Sequence, residues 1–235
     1  MLCKIADLIT EVPEAGDLVP RCKAYLYEGT ECADVTIRTE FFRKDAWKGL
    51  SGDSYVYCES GSHFYHELLL HSGLMLHASA VELDGKAYLF SAPSGTGKST
   101  HTRLWQQMFG ENAKIFKDDK PALRLLDGVW YAYGTPWCGK DGININMKAP
   151  LAGICFLKRA QENAIRRLSA QESVQLLIFQ TMHRLKRRER MQLMLSHLDK
   201  LVRQIPVFEL ECTPDVGAVR LSYSTMFTAA EEKGL

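Results

Sequence analysis

The chain has 235 residues, and 46% of them are hydrophobic, enough for one large domain or one domain with a small appendage. Lysine and arginine number 29 against 28 aspartates and glutamates, which leaves a formal net charge of +1. A chain this close to neutral has no overall field that favours nucleic acid or a membrane surface. We therefore expect neither as a partner.

The cysteines and the apolar runs indicate the cellular compartment in which the protein is expected. The seven cysteines are scattered and include no Cys-x-x-Cys pair, which predicts reduced thiols and neither a disulfide framework nor a zinc site. The first residues lack a charged segment followed by a long apolar run, and no uncharged apolar run approaches about 18 residues. We therefore expect a cytoplasmic protein with no membrane-spanning helix.

Short β-like runs separated by turn residues fill most of the first 60 residues. A helix should follow over 59–71, because Phe64, Leu68 and His71 share one face and Ser72-Gly73 ends it. The strands expected from these runs cover 5–12, 23–27, 33–39 and 54–58. The sequence thus predicts a small β-rich N-terminal region, 1–72, and a second region, 73–235.

The second region mixes helices with many short strands. It opens with a hairpin of strands 74–81 and 86–91 around Leu83-Asp84-Gly85. Ser169 and Glu172 have the spacing of a capping box at the start of a helix. The remaining helices are expected over 99–109, 169–183, 188–203 and 214–223, and the remaining strands over 114–116, 122–126, 130–133, 151–157, 164–168 and 205–212. Helices interspersed with short strands along the chain predict an α/β fold.

A glycine-rich loop follows the hairpin, with the sequence Ala92-Pro93-Ser94-Gly95-Thr96-Gly97-Lys98-Ser99-Thr100. It fits the pattern G-x-x-x-x-G-K-[ST] with alanine in the first place, between an apolar strand and an amphipathic helix. The two glycines let successive N–H groups turn toward one point at the helix start. Lys98 would reach the β- and γ-phosphates, and the Ser99 hydroxyl would ligate Mg²⁺. Residues 93–100 are therefore predicted to bind ATP, with GTP as the alternative.

An acid pair, Asp118-Asp119, follows the next expected strand. Adjacent carboxylates suit divided roles, one accepting a proton from the acceptor and the other holding Mg²⁺. We assign the base to Asp118 and the metal to Asp119. The reverse order stays open because successive side chains on a strand point to opposite faces, and an acid pair is also common at an ordinary strand end.

Together these segments resemble the HPr kinase/phosphorylase family and its relative, phosphoenolpyruvate carboxykinase. The resemblance is carried by Leu76-His77-Ala78-Ser79-Ala80-Val81, by the loop that ends at Lys98-Ser99, and by Lys117-Asp118-Asp119. It implies the mixed sheet with flanking helices of the HPr kinase C-terminal domain, and phosphoryl transfer to a serine-type hydroxyl. It also implies that His77 lies beside the transferred phosphate, although a lone histidine in an apolar strand is often a core residue.

The chain departs from this family after the acid pair. Bifunctional members carry a loop of the type E-I-R-G-L-G, whereas this chain reads Gly134-Thr135-Pro136-Trp137-Cys138-Gly139-Lys140-Asp141. Lys140 is the basic residue of this segment, and we expect it to supply positive charge at the transferring phosphate. The chain also lacks the long N-terminal domain of typical HPr kinases, so it looks more like the shorter HPr-kinase-like proteins. These include kinases of lasso-peptide precursors and of free serine, and HPr kinases themselves assemble into hexamers, which implies a homo-oligomer.

The expected function is therefore an ATP-dependent, Mg²⁺-requiring kinase whose acceptor is a peptide or small-molecule hydroxyl. Two alternatives stay open. The loop would also suit a nucleoside monophosphate kinase of the guanylate kinase type. The altered segment 134–141 also fits a regulatory protein that binds nucleotide without turnover, because binding needs only the phosphate nest.

Overall fold

The chain is described by a computed structural model that covers residues 1–42, 49, 52–181, 185 and 187–235. In these residues the strands are β1 (Leu2–Ile5), β2 (Leu8–Glu11), β3 (Val35–Thr36), β4 (Gly73–Met75), β5 (Ala78–Leu83), β6 (Lys86–Ser91), β7 (Lys114–Lys117), β8 (Ala122–Leu126), β9 (Val129–Tyr133), β10 (Lys148–Arg159), β11 (Ala164–Arg167) and β12 (Val207–Cys212). The α-helices are α1 (Leu18–Cys22), α2 (Gly52–Leu68), α3 (Lys98–Phe109), α4 (Ala170–Gln180), α5 (Arg188–Gln204) and α6 (Val216–Glu232).

The N-terminal strands form a small sheet of their own. β1 and β2 are antiparallel, and β3 pairs in parallel with β2. The strand expected over 5–12 is therefore interrupted by the turn at Ala6 and Asp7, and only two residues of the run 33–39 form a strand. The small N-terminal sheet that the sequence predicts is present with shorter strands.

Two expected strands of this region are helical instead. Residues 23–27 begin with a 3₁₀ turn, Lys23–Tyr25, and residues 54–58 lie inside α2. The tyrosines and the valine over 54–58 fit a strand locally, because aromatic and β-branched residues favour strands. In the folded chain α2 starts at Gly52 and buries Phe64, Tyr65 and Leu68 in the N-terminal core, so packing of the whole helix decides the conformation.

The nine-stranded sheet is mixed and contains the rest of the strands. Its order is β4-β8-β9-β10-β6-β5-β7, with β12 paired to β10 and β11 paired to β12. β10 runs parallel to β6 and β12 through its later residues and antiparallel to β9 through its first three. Antiparallel hairpins thus flank a short parallel centre, and the mixed α/β fold expected from the sequence is confirmed.

The expected strand over 74–81 is divided into β4 and β5. β4 pairs with β8, whereas β5 pairs with β6 and β7. Between them Leu76 N–H donates to Pro121 O at 3.3 Å, and His77 N–H donates to Gln180 O at 2.7 Å. His77 therefore leaves the sheet ladder and is held by the end of α4.

Helices cover both faces of the large sheet. α4 and α5 contribute Leu177, Leu198 and Leu201 to one core, and α3 and α6 contribute Trp105 and Met226 to the other. The sheet therefore has a helix pair on each side, and the loop between β6 and α3 lies at one end of the sheet.

The helix ends agree in part with the sequence. The capping box of Ser169 and Glu172 is formed, and it starts α4 as expected. α4 ends at Gln180, and 182–183, the end of the predicted helix, lie outside the described residues. α6 continues to Glu232, beyond the expected end at 223, because Met226, Ala229 and Ala230 are buried. None of the helices in the described ranges has both the length and the apolar character needed to cross a bilayer.

Candidate active site

The glycine-rich loop connects the end of β6 to the first turn of α3. Gly95 has φ 79° and Gly97 has φ 130°, backbone conformations that L-residues rarely adopt. Nothing lies within 4 Å of a Cβ placed at either glycine. The glycines are thus required by the path of the backbone and not by a crowded neighbour, and the loop ends at the exposed N–H groups of the first turn of α3.

Lys98, the first residue of α3, folds back over this loop. Its Nζ donates a 2.8 Å hydrogen bond to Ala92 O. The side chain is half-buried, and burial lowers the pKa of Lys98, although Asp119 acts in the opposite direction. An ammonium group has three donors and this bond uses one, so Lys98 is placed to give its other donors to an anion in the loop.

Arg159 supports the loop from the end of β10. Its guanidinium donates to Thr96 O at 3.0 Å and also to Gly95 O. Two carbonyl groups of the loop are thereby fixed by one side chain from another strand. The sequence gives no local signal for this role, since Arg159 belongs to no motif around the loop.

His77 lies across the loop from Lys98, between β4 and β5. Its Nδ1 is 2.8 Å from Gln180 Oε1, and its Nε2 is 3.4 Å from Asp119 Oδ1. Burial and the nearby charge of Lys98 lower the pKa of His77, so the neutral ring is favoured at pH 7. With Nδ1–H donating to Gln180, the neutral ring leaves Nε2 as an acceptor.

Asp118 is buried at the end of β7, 8% exposed. Its Oδ1 accepts a 2.8 Å hydrogen bond from Gly139 N–H, and its carbonyl oxygen accepts one from Ser79 Oγ at 2.8 Å. Its Oδ2 is buried and has no hydrogen-bond partner in the described part of the chain. A buried carboxylate oxygen without a donor is costly, which is expected where a ligand or a cation completes the site.

Asp119 is more exposed and is held from both sides. Its Oδ2 accepts from Lys120 Nζ at 2.6 Å, and its Oδ1 faces His77. Oδ1 also has no hydrogen-bond donor among the described residues. Two acceptors, Asp119 Oδ1 and the neutral His77 Nε2, therefore face each other, an arrangement that suits a bound cation or a donor from a substrate.

These groups surround a single cleft of about 560 Å³. Lys140 lies on its rim, and Arg103 and Asp141 form a 3.1 Å ion pair beside it. The other predicted site residues that line the cleft are His77, Ser94, Gly95, Gly97, Lys98, Ser99, Thr100, Asp118 and Asp119. Pro93 and Thr96 do not line it. They close the outer turn of the loop, where Thr96 N–H donates to Pro93 O at 3.3 Å.

Lys117 is a part of the site that sequence reasoning gave no role. The side chain is fully buried, and its Nζ donates 2.7 Å hydrogen bonds to Thr135 O and Trp137 O. Burial lowers the pKa of Lys117 to about 7, because the ammonium loses its hydration. Lys117 thus holds the segment that carries Gly139, the partner of Asp118. A lysine directly after the apolar pair Ile115-Phe116 of β7 was the available signal.

Aromatic residues of α2 hold the same segment from its other side. Trp137 stacks on Phe64 with ring centroids 4.9 Å apart and donates from Nε1 to Ser60 Oγ at 2.9 Å. Tyr65 Oη donates to Lys120 O at 2.5 Å and is 2.8 Å from Thr135 Oγ1. Residues separated by about 70 positions in sequence therefore determine where the segment after the acid pair lies.

The oxygen atoms of the cleft fit a magnesium ion. Among the described residues no group of three or more His, Cys, Asp and Glu side chains is arranged to hold a metal. Mg²⁺ is usually bound by one or two carboxylates with substrate phosphates and water completing the shell. Asp119 Oδ1, which has no hydrogen-bond donor among the described residues, and the Ser99 hydroxyl in the cleft match that requirement.

Comparison with known proteins identifies the family of the chain and distantly similar solved structures. The family model described as "SynChlorMet cassette protein ScmC" matches residues 57–217. No curated protein matches the chain. Among solved structures, the HPr(Ser) kinase/phosphatase from Coxiella burnetii is 10% identical with a TM-score of 0.37, and the match covers 68% of this chain and 97% of that one.

Proposed function

This chain belongs to the SynChlorMet cassette protein ScmC family, and we propose that it is a phosphotransferase that uses ATP and Mg²⁺ to phosphorylate a serine-type hydroxyl. GTP is the alternative donor. The acceptor we propose is a peptide, such as a lasso-peptide precursor, or a small molecule. The resemblance of the segments around His77, Lys98 and Asp118 to the shorter HPr-kinase-like proteins supports this choice.

The observation that carries the proposal is the meeting of three separate segments at one cleft. Lys98 and Ser99 come from the start of α3, Asp118 and Asp119 from the end of β7, and His77 from the break before β5. Phosphoryl transfer requires a phosphate-binding group, charge neutralisation and a carboxylate near the attacking hydroxyl. In this proposal the side chains of the cleft supply each of these parts.

The side chains take distinct roles in this proposal. Lys98 and the N–H groups of the loop hold the β- and γ-phosphates, and Lys140 approaches from the rim. The acceptor oxygen forms a bond to the γ-phosphorus, while the bond from that phosphorus to the bridging oxygen breaks and ADP leaves. The hydroxyl proton passes to Asp118 Oδ2, the buried oxygen that has no donor within the described part of the chain. Asp119 and Ser99 would hold Mg²⁺, which supplies positive charge at the phosphates.

His77 would contact the transferred phosphate or the acceptor. In the neutral ring Nε2 is an acceptor, since Nδ1–H is directed to Gln180. Nε2 can therefore accept a hydrogen bond from a second donor group of the acceptor, while the proton of the attacking hydroxyl goes to Asp118. The contact with Gln180 fixes the ring without blocking this nitrogen.

The test is a search for the acceptor by mass spectrometry. The chain is incubated with Mg²⁺, γ-labelled ATP and peptides encoded beside its own gene, with free serine and GMP in separate reactions. We expect one phosphate on a defined peptide or on serine. Phosphate on GMP would instead indicate a nucleoside monophosphate kinase. ATP binding without transfer to peptide, serine, GMP or water would contradict the proposal and indicate a nucleotide-binding regulator.

A further inference from the structure

Lys120 directly follows the acid pair and places its ammonium group on the second acid. Its Nζ donates a 2.6 Å hydrogen bond to Asp119 Oδ2, and the lysine side chain is 46% exposed. The other oxygen of the same carboxylate, Oδ1, has no donor among the described residues and lies 3.4 Å from His77 Nε2. One carboxylate therefore has a cation on one oxygen and an unused acceptor on the other.

The backbone of Lys120 has a conformation that lysine rarely adopts. Its φ is 52°, in the left-handed region, which is unfavourable for a residue with a Cβ. Tyr65 Oη donates to Lys120 O at 2.5 Å, and Leu76 N–H donates to Pro121 O at 3.3 Å. The surrounding structure thus fixes the backbone here, and glycine would fit it with less strain. A lysine at a strained position beside the cleft indicates a use for its side chain.

The charges that line the cleft are balanced before Lys120 is counted. Among the described residues, three basic and three acidic side chains line it: Lys98, Arg103, Lys140, Asp118, Asp119 and Asp141. Arg103 and Asp141 form an ion pair with each other at 3.1 Å. Two lysines are then left to balance the acid pair, so the ammonium of Lys120 is a positive charge in excess of that balance.

A divalent cation at Asp119 would meet this excess charge at short range. In the proposed function Asp119 and Ser99 hold Mg²⁺, and a metal at Oδ1 would share a carboxylate of single charge with the ammonium at Oδ2. Like charges this close repel each other even where water screens them in part. Ion pairs between partly exposed side chains are weak, so the ammonium can leave Asp119 without disturbing the fold. The metal and the ammonium are therefore alternative partners of one carboxylate.

Phosphate groups would provide the displaced ammonium with new partners. An ammonium has three donors, and the bond to Asp119 is the one hydrogen bond of Lys120 Nζ in the described part of the chain. The phosphates that Lys98 is proposed to bind would lie in the cleft that Asp119 also lines, and they would accept these donors. Metal that arrives with a nucleotide is thus compensated for the loss of the ion pair, whereas free metal is not.

We propose that Lys120 competes with Mg²⁺ for the carboxylate of Asp119, so that the site favours metal bound to nucleotide phosphates over free metal. The inference rests on the proposed function, which places the metal at Asp119. It adds that an ammonium group of the chain itself controls in which form the metal binds.

The experiment measures binding of Mn²⁺, used as the probe for the metal, by electron paramagnetic resonance of the free ion without nucleotide. Lys120→Met removes the ammonium and keeps an unbranched side chain. We expect this variant to bind Mn²⁺ about tenfold tighter than the wild type, because the repulsion is gone. Lys120→Gly removes the ammonium and also relieves the strained backbone. It should give the same gain, and it replaces Lys120→Met if that variant does not fold.

Two control variants separate the contact from the general charge of the protein. Lys148→Met removes an ammonium that is 45% exposed and donates to Asp7 at the same 2.6 Å, outside the residues that line the cleft. Lys140→Met removes a positive charge from the rim of the cleft, and among the described residues Asp119 pairs with Lys120 and His77 and not with Lys140. We expect Mn²⁺ affinity within about threefold of the wild type for both.

A second titration uses the Mn-ATP complex as the probe. The wild type and Lys120→Met should bind this complex with similar affinity, because the phosphates then accept the ammonium of the wild type. Free Mn²⁺ bound no tighter by the two Lys120 variants, an equal gain by Lys140→Met, or an equal gain with Mn-ATP would each overturn the inference. Absence of binding of both probes by the wild type and by the Lys120 variants would instead contradict the proposed function.

Discussion

The carboxylate of Asp118 is bonded through Oδ1 to Gly139 N–H at 2.8 Å, while its Oδ2 is buried and has no donor among the described residues. Gly139 therefore sets the orientation of the carboxylate and leaves Oδ2 without a hydrogen bond. The bond joins the end of β7 to the segment in which the sequence departs from the E-I-R-G-L-G signature of HPr kinases. The donor is a backbone N–H, which does not depend on the side chains of the segment. The altered segment can therefore still hold the Asp118 carboxylate.

This relationship predicts the effect of adding one methyl group at Gly139. A Cβ there would lie 3.0 Å from Asp119 Cβ and 3.1 Å from Asp118 Oδ2, so Gly139→Ala should displace the free oxygen by a few tenths of an ångström. We expect about a tenfold loss of the transfer rate, because small displacements of a reacting group are costly. Steady-state kinetics should show a lower kcat with little change in the Kd for ATP. An unchanged kcat would mean that the position of Oδ2 does not matter.

Lys117 is predicted to stabilise the fold through the segment it holds. Lys117→Met removes the donor to two buried carbonyl groups, which should lower the free energy of unfolding by about 2–4 kcal/mol. The matched control is Lys114→Met, at an exposed position of the same strand, with an expected change within about 0.5 kcal/mol. Chemical denaturation measures both. Equal midpoints for the two variants would show that the buried ammonium contributes nothing to stability.

His101 should make the stability of the fold depend on pH. Burial lowers its pKa from 6.5 to about 4, and its Nε2 accepts from Trp105 Nε1 at 3.2 Å. As the pH falls below 6.5 the unfolded chain takes up this proton before the folded chain does, so stability is lost between pH 6.5 and about 4. The loss from this one group is about 3 kcal/mol once the pH is below both pKa values.

The variant His101→Gln keeps an acceptor for Trp105 but removes the titration. Its free energy of unfolding should therefore fall less than that of the wild type between pH 7 and pH 4, measured by denaturant titration at each pH. Parallel curves for the two proteins would contradict the assignment of this pH dependence to His101.

The sequence predicted those parts of the site whose signals are local. The loop from Ala92 to Lys98 and the capping box of Ser169 depend on neighbouring residues, and the structure has both the strand–loop–helix arrangement and the cap. The family resemblance also implied that His77 belongs to the site, and in the structure His77 Nε2 lies 3.4 Å from Asp119 Oδ1. Their roles in binding and transfer stay predictions.

The features of the fold and the site that could not be predicted from the sequence depend on contacts between distant segments. Residues 54–58 contain the aromatic and β-branched residues that favour a strand, yet they lie in a helix because Phe64 and Tyr65 pack with Trp137. The break between β4 and β5 exists because His77 is bonded to Gln180, about 100 positions later. Arg159 and Lys117 act through carbonyl groups, which carry no sequence pattern at all.

The central claim is that the free oxygen of Asp118 receives the proton of the acceptor during phosphoryl transfer. Asp118→Asn is nearly isosteric, and the direct measurement is release or transfer of the γ-phosphate in a single turnover of labelled Mg-ATP, beside titration of ATP binding. The account predicts that the variant binds ATP like the wild type and loses about 100-fold or more of the transfer rate. Transfer at the wild-type rate by Asp118→Asn would contradict it.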